Sequence, residues 1–368
     1  MQKKKCAYVL AASQNIIFAA GNVALELNRY MPDEEFDILI YHRGLERKDV
    51  KALNKIKNVV LREFILPQGF EEAILNNMPS GRLKNKNSLL TFAHYEVFNL
   101  LDEYQTAVWL DIDTSVQGNI KGLQSFGPVG MAEDKHDYGR FPVQVNFVKP
   151  VPGFDMEAPA FCSAVVVASD KLPDPKKIYK WCLDKSIELA EYLITPDQGI
   201  INLALQYFKL KVNVFPFEEY IAFSSWPQAH LAKIVHFGTA AKVWNTSDLY
   251  QAYPQWQRTH LEYLSLGGSD FDRSTLEQNN IIVGYRYLQQ ECHELKELLQ
   301  RQRNYFESGY GRKSYYLFSF LPLLSWRKNM SSLKIKFLGV PLWKEKRKNN
   351  KRSFFLLGFI PLLKINRK

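Results

Sequence analysis

The chain of 368 residues, 46% hydrophobic and 14% aromatic, can hold one large domain or a domain with an appendage, and its apolar content excludes a disordered protein. Its four cysteines, Cys6, Cys162, Cys182 and Cys292, are scattered and form no CxxC pair, which argues against zinc and disulfide frameworks and fits a reducing cytoplasm. The net charge of +10 is uneven: positions 312–368 hold 15 Lys and Arg against one acid, Glu345, a local +14, so the rest of the chain carries −4.

Lys3, Lys4 and Lys5 precede a short apolar stretch, Cys6 to Ala12, in the manner of a signal peptide. Ser13-Gln14-Asn15 interrupts it, so it reads as the first core strand. No run reaches the roughly 18 apolar residues of a spanning helix. Ala7 to Ala12 is strand-like, Asn22 to Tyr30 has helical spacing, and Phe36 to Tyr41 is again strand-like. Thr91 to Leu101 reads as a helix leading into the apolar run Ala107-Val108-Trp109-Leu110. Phe161 to Ala168 then reads as a strand and Ile178 to Tyr192 as a helix. Alternation of this kind predicts an α/β layered domain with binding loops at the carboxyl ends of its strands.

From Ser274 to Phe306 a polar helix is expected, with Leu276, Val283, Leu288, Cys292, Leu295 and Leu299 as a broken apolar stripe. Its irregular heptads favour packing on the domain over a dimerising coiled coil, with a homodimer as the alternative. The remaining tail repeats itself. Three apolar runs, Tyr316 to Leu324, Phe337 to Trp343 and Phe354 to Leu363, each contain a proline, at Pro322, Pro341 and Pro361, spaced 19 and 20 positions apart. Basic residues follow each run. Gly and Pro at these places predict small hairpins or turns. One reading packs these runs on one another or on the long helix. The other is an interfacial anchor, with aromatics in the headgroup region and Lys and Arg on anionic lipid. No nucleic-acid fold signature accompanies the charge, so nucleic acid is not an expected partner.

Asp111-Ile112-Asp113 follows the central apolar run. Two carboxylates one residue apart at a strand end can share a hard divalent cation, Mn2+ or Mg2+, which leaves positions open for phosphate oxygens. Three more segments bear on it. Phe161-Cys162-Ser163-Ala164 opens a strand with small residues, and Pro196-Asp197-Gln198 places a carboxylate and an amide at a helix start. His236-Phe237-Gly238 through Lys242-Val243-Trp244 sets an imidazole and a lysine around small residues that let backbone approach phosphate.

In this order the motifs DID, FCSA, DQGIIN and H-x5-KVW resemble those of the retaining family 8 glycosyltransferases, over roughly residues 7 to 245. That group contains bacterial lipopolysaccharide galactosyl- and glucosyltransferases and glycogenin. The resemblance implies a GT-A type α/β domain over 1–245, a Rossmann-like mixed sheet flanked by helices, followed by a helical extension over 246–311 and the basic repeat tail over 312–368. It implies that Asp111, Asp113 and His236 hold the metal, usually manganese, and that Lys242 pairs with the donor phosphates. Gln198 would lie beneath the reactive sugar carbon, with Asp197 on sugar hydroxyls and Asp134 near the acceptor. The donor would rest against Ala11, Ser13, Asn15, His94, Cys162, Ser163 and Gly238.

The implied reaction moves a hexose, galactose or glucose, from a UDP-sugar to a hydroxyl of a glycan or glycolipid in lipopolysaccharide or capsule assembly. The expected location is the cytoplasmic face of the plasma membrane, through the tail. Some family positions differ. His94 stands where the family has Arg, Cys162 where it has Asn, and Ala164 where it has Gly. Ser13 replaces a base-reading Asp and Ile16 a stacking Tyr. These changes motivate an alternative, a degenerate transferase domain kept as a membrane-associated scaffold. Asp111-Ile-Asp113-Thr114-Ser115 also resembles the opening motif of haloacid dehalogenase-type phosphatases, but no downstream GDxxxD accompanies it.

Overall fold

The computed structural model describes residues 3–78, 86–136, 139–226, 228–238 and 240–276, together with backbone strands between 311 and 366. The chain divides into two compact units, Met1–Asn280 and Ile281–Lys368. Most of the expected helix from Ser274 to Phe306 lies outside the described residues.

In the first unit the strands and helices run β1 (Lys4–Ala11), α1 (Ile17–Tyr30), β2 (Asp37–His42), α2 (Arg47–Leu53), β3 (Val59–Glu63) and α3 (Phe70–Asn77). A 3-10 stretch, Lys86–Tyr95, leads to the short α4 (Glu96–Asn99) and then β4 (Tyr104–Leu110) and β5 (Thr114–Val116). Next come β6 (Val129–Glu133), the small pair β7 (Lys135–His136) and β8 (Gly139–Arg140), β9 (Phe161–Ser169), α5 (Pro175–Glu188) and α6 (Pro196–Tyr207). The unit continues with β10 (Asn213–Val214), α7 (Phe217–Tyr220), β11 (Ile221–Phe223), β12 (Ile234–His236), α8 (Ser247–Ala252) and α9 (Pro254–Ser265).

Seven strands form the central sheet in the order β10-β6-β9-β4-β1-β2-β3. All run parallel except β9, which is antiparallel to both β4 and β6. The side-chain period of two explains the double-sided core. Along β1, Cys6, Tyr8 and Leu10 pack on one face with residues of α1 and α9, while Ala7, Val9 and Ala11 pack on the other with α3, α5 and α6. Burial on both faces makes β1 an unbroken apolar run, as a central parallel strand requires.

A second sheet of three strands, β11-β12-β5, takes the chain directly after Asp113. β12 pairs antiparallel with β5, which sets Thr114 opposite His236. Proline opens both α5 and α6, at Pro175 and Pro196. That position needs no hydrogen-bonded N–H, so Pro fixes where each helix starts.

Two expected boundaries differ. α1 begins at Ile17 rather than Asn22, because Ile17, Phe18, Ala19 and Ala20 are all buried and give its first turn no amphipathic contrast. The stretch expected as one helix over Thr91 to Leu101 is broken into 3-10, α and 3-10 pieces. There the His94 ring nitrogen Nδ1 takes the Thr91 carbonyl at 2.9 Å, in competition with the helical backbone bond.

The second unit holds six antiparallel strands joined in sequence: β13 (Gly311–Leu317), β14 (Leu321–Asn329), β15 (Ser332–Phe337), β16 (Val340–Lys348), β17 (Lys351–Leu356) and β18 (Ile360–Asn366). They make three hairpins, as Gly and Pro predicted. The repeat reaches the level of pairing. Pro322 pairs with Tyr316, Pro341 with Lys336 and Pro361 with Phe355, and the register shifts at each of these places. One extra residue, Leu323, Leu342 or Leu362, is thereby left between ladder pairs, a bulge next to a residue that cannot donate to the ladder. No helix among the described residues is long and apolar enough to cross a membrane.

Candidate active site

Asp111 leaves the end of β4 with its N–H on the Ala164 carbonyl of β9 at 2.9 Å. The chain turns there, closed by the Thr114 hydroxyl donating to the Asp111 carbonyl at 2.6 Å. The Trp109 indole N–H holds one Asp111 carboxylate oxygen at 2.7 Å. Asp113 is fixed through its backbone, whose carbonyl accepts the Phe237 N–H at 2.8 Å. The β5–β12 pairing thus delivers a histidine more than a hundred positions away to the same corner as the two carboxylates.

Asp111, Asp113 and His236 each offer one ligand atom, and these atoms lie within 4.8 Å of one another. His236 Nε2 stands 3.4 Å from Asp113 Oδ1 and 3.8 Å from Asp111 Oδ2. Ligand atoms about 2.1 Å from one shared ion stand about 3 to 4.2 Å apart, so the residues fit a divalent cation. Two carboxylates and an imidazole are a donor set for a divalent metal. The imidazole is buried, with the Cys162 thiol beside it. Burial works against a charged His236, but the adjacent Asp113 carboxylate outweighs it and raises the imidazole above its ordinary range. Burial likewise disfavours ionised Asp113, and the charges of His236 and Lys242 overcome it and hold that carboxyl below the usual range. Lys242 donates to the Asp113 carboxylate and, at 2.6 Å, to the Phe237 carbonyl.

His94 is buried between two acids. Its Nε2 lies 2.9 Å from Asp111 Oδ1 and 3.4 Å from Asp197 Oδ2, close enough for ion pairs with both. The ring lies on Trp109, centroids 3.8 Å apart. Burial opposes the imidazolium, and Asp197 and Asp111 together raise its pKa all the same.

The start of α6 supplies the other half of the site. Gln198 Oε1 accepts the Ser163 N–H at 3.0 Å, and its amide donates to Asp134 at 2.9 Å and to Asn146 at 3.1 Å. Asp197 accepts the Ser163 hydroxyl at 3.1 Å and the Thr91 hydroxyl at 2.9 Å. One turn on, Asn202 bonds both the N–H and the carbonyl of Phe161, at 2.8 and 2.9 Å, which locks α6 to β9.

A cleft of about 350 Å³ opens above this arrangement, lined among others by Ala11, Ser13, Thr91, His94, Asp111, Asp113, Asp197, Lys242 and Trp244. Ala11, Ser13 and His94, expected to contact the donor, line this cleft. Asn15 is exposed, with Oδ1 accepting the Ser13 hydroxyl at 2.5 Å, and does not line the cleft. Cys162, Ser163, Gln198 and Asp134 are not among its lining residues, and Cys162 is a buried β9 residue whose thiol burial pushes up. Gly238, expected on the donor, follows β12 and lies against the His236 ring. Trp109, seen in the sequence only as a strand residue, anchors both Asp111 and His94. Asn146 carried no motif signal, yet it receives Gln198 and the Thr195 hydroxyl.

No curated protein sequence matches the chain. Among solved structures, the galactosyltransferase LgtC in complex with donor and acceptor sugar analogues is similar at a TM-score of 0.51 and 13% identity, covering 70% of this chain and 95% of that one. An active-site mutant of LgtC aligns at a TM-score of 0.54 and 15% identity with the same coverage. The apo structure of the bifunctional glycosyltransferase WbbM aligns at 0.50 and 15% identity; the match covers 72% of this chain but only 52% of WbbM. At these identities the likeness establishes the GT-A fold. The sequence model described as Glycosyl transferase family 8 matches residues 7–248, which include every motif of the site. The chain belongs to glycosyltransferase family 8, so the phosphatase reading falls away and its catalytic unit is that of a glycosyltransferase.

Proposed function

We propose that the protein transfers a hexose, galactose or glucose, from a UDP-sugar to a hydroxyl of a bacterial surface glycan, with retention of configuration. The observation that carries this reading is the convergence of Asp111, Asp113 and His236 within 4.8 Å, beside a cleft that Asp111, Asp113 and, from the start of α6, Asp197 all line. A divalent cation, Mn2+ or Mg2+, held by these three residues would neutralise charge on the donor diphosphate. Lys242, on the same cleft, exchanges its Asp113 partner for a phosphate oxygen and adds a fixed positive charge where the leaving group develops. Asp197 binds sugar hydroxyls. Gln198 sets the position of the sugar, its own amide held by Ser163, Asp134 and Asn146. An amide is a poor nucleophile, which favours a front-face route. The bond from the anomeric carbon to the diphosphate breaks, the acceptor oxygen bonds on the same face, and the leaving phosphate takes the acceptor's proton. Asp134, whose carboxylate accepts the Gln198 amide, is the acceptor-side carboxylate of this reading.

Support for a sugar donor and acceptor comes from the shared fold of LgtC, whose structure holds analogues of both. The acceptor belongs to lipopolysaccharide or capsule assembly, and the tail, at +14, holds the enzyme on the anionic cytoplasmic face of the plasma membrane. The test is nucleotide release from a panel of UDP-, GDP- and CMP-sugars, with manganese and with chelator. Manganese-dependent release from one UDP-hexose is the expected result. Release from a GDP- or CMP-sugar alone would overturn the donor assignment.

A further inference from the structure

The three tail hairpins are sorted along their strands. Each closes on an apolar pair: Leu317 with Leu321, Phe337 with Val340, and Leu356 with Ile360. Neighbouring hairpins pair in the same alignment, Leu324 with Phe337 and Trp343 with Leu356. All three closing pairs therefore share one end of the six-stranded sheet. Within three ladder pairs of that end, the bulge residues included, every residue is apolar or aromatic except Lys336. Of the 13 Lys and Arg in these strands, the other 12 lie further along, toward the end marked by Asn329 with Ser332 and Lys348 with Lys351.

Such segregation is not what a two-sided sheet core needs. A sheet that buries one face alternates apolar and polar residues at every second position, as β15 does, whereas in the other five strands the change from apolar to basic falls along the strand axis. Three ladder pairs at about 3.3 Å each give an apolar band about 10 Å deep. That matches the depth to which interfacial elements enter the boundary between headgroups and acyl chains, about 5 to 10 Å. The proline at the second ladder pair and the bulge just beyond it interrupt the ladder within that band.

We propose that this sheet engages an anionic lipid surface end-on, its three hairpin tips in the interface and its basic band at the headgroups. The proposal rests on the membrane reading above and adds the orientation and the inserting residues. Charge complementarity selects the lipid: every charged residue from 312 to 368 except Glu345 is basic.

Full-length protein carrying Cys292→Ser, with a nitroxide at Val340→Cys or at Ser332→Cys, tests it against vesicles of phosphatidylethanolamine and phosphatidylglycerol. The described native cysteines, Cys6, Cys162 and Cys182, are buried and escape the label. On vesicles the label at 340 should gain oxygen access and become about tenfold less accessible to a polar nickel chelate, while the label at 332 stays exposed to nickel. Equal shielding at both positions would leave the membrane reading standing and overturn the end-on geometry. No change with vesicles would overturn both. Shielding at 340 before vesicles are added would show that protein, either a second copy or the rest of the chain, covers the apolar end, and would also overturn the proposal. Donor hydrolysis by the labelled protein reports on the catalytic unit separately.

Discussion

Gly238 lies against the ring of His236: a Cβ at that position would stand 2.7 Å from Cε1 and 3.1 Å from Nε2. No side chain fits without displacing the imidazole. Gly238→Ala should therefore weaken manganese binding about 10- to 100-fold, the range for groups that orient a metal ligand, while the fold stays intact. Titration of manganese by electron paramagnetic resonance, with circular dichroism as the fold control, checks this.

Lys242 and the cation are alternative partners of Asp113. Lys242→Met removes a positive charge from beside the metal position and frees a carboxylate oxygen. Manganese affinity should hold or rise a few-fold. Catalysis should nevertheless fall about 100- to 1,000-fold, as when one preorganised donor to a developing anion is lost. A parallel loss of both would assign Lys242 to building the metal site rather than to the phosphates.

Proton and metal compete for His236. Its folded pKa is raised, so in the metal-free protein its ion pair with Asp113 contributes stability that is complete below the ordinary imidazole value and lost as pH rises through the raised one. Metal binding requires the neutral ring, so manganese affinity should climb with pH across the neutral range, by at most about tenfold per unit from this group. Calorimetry in buffers of different ionisation enthalpy should show proton release on binding, and release should vanish in His236→Ala.

Glu26 is a buried acid beneath the metal loop. Its carboxyl accepts the Val116 N–H at 2.7 Å and the Ser115 hydroxyl at 3.0 Å, tying α1 to the strand that follows Asp113. Burial pushes it up to about 8, against the hydrogen bonds from Val116 and Ser115 that favour the anion. A raised carboxyl contributes stability that is complete below its unfolded pKa and lost as pH rises through the folded one. Glu26→Gln should match the wild type near pH 5 and be more stable by a few kcal/mol above pH 8, read from denaturant midpoints.

The motifs of the site were legible because each is local. Asp111 and Asp113 sit two positions apart, and His236 and Lys242 six apart, at spacings the chemistry itself imposes. What joins them is not local. The pairing of Thr114 with His236 and the Gln198 bonds to Asp134 and Asn146 depend on sheet topology, which no short pattern encodes. Glu26 and Asn146 look like surface residues in the sequence, and only the fold buries them. In the tail, the spacing of Pro322, Pro341 and Pro361 announced the repeat. The separation of apolar from basic residues appears only once the strands are in register.

The central claim is that Asp111, Asp113 and His236 hold a divalent cation that in turn holds the donor diphosphate. Calorimetric titration of UDP into the full chain, with manganese, with chelator, and into Asp113→Asn, tests it most directly. The account predicts UDP binding that needs manganese and is lost, about 100-fold or more, in the variant. Binding of equal strength in chelator would contradict it.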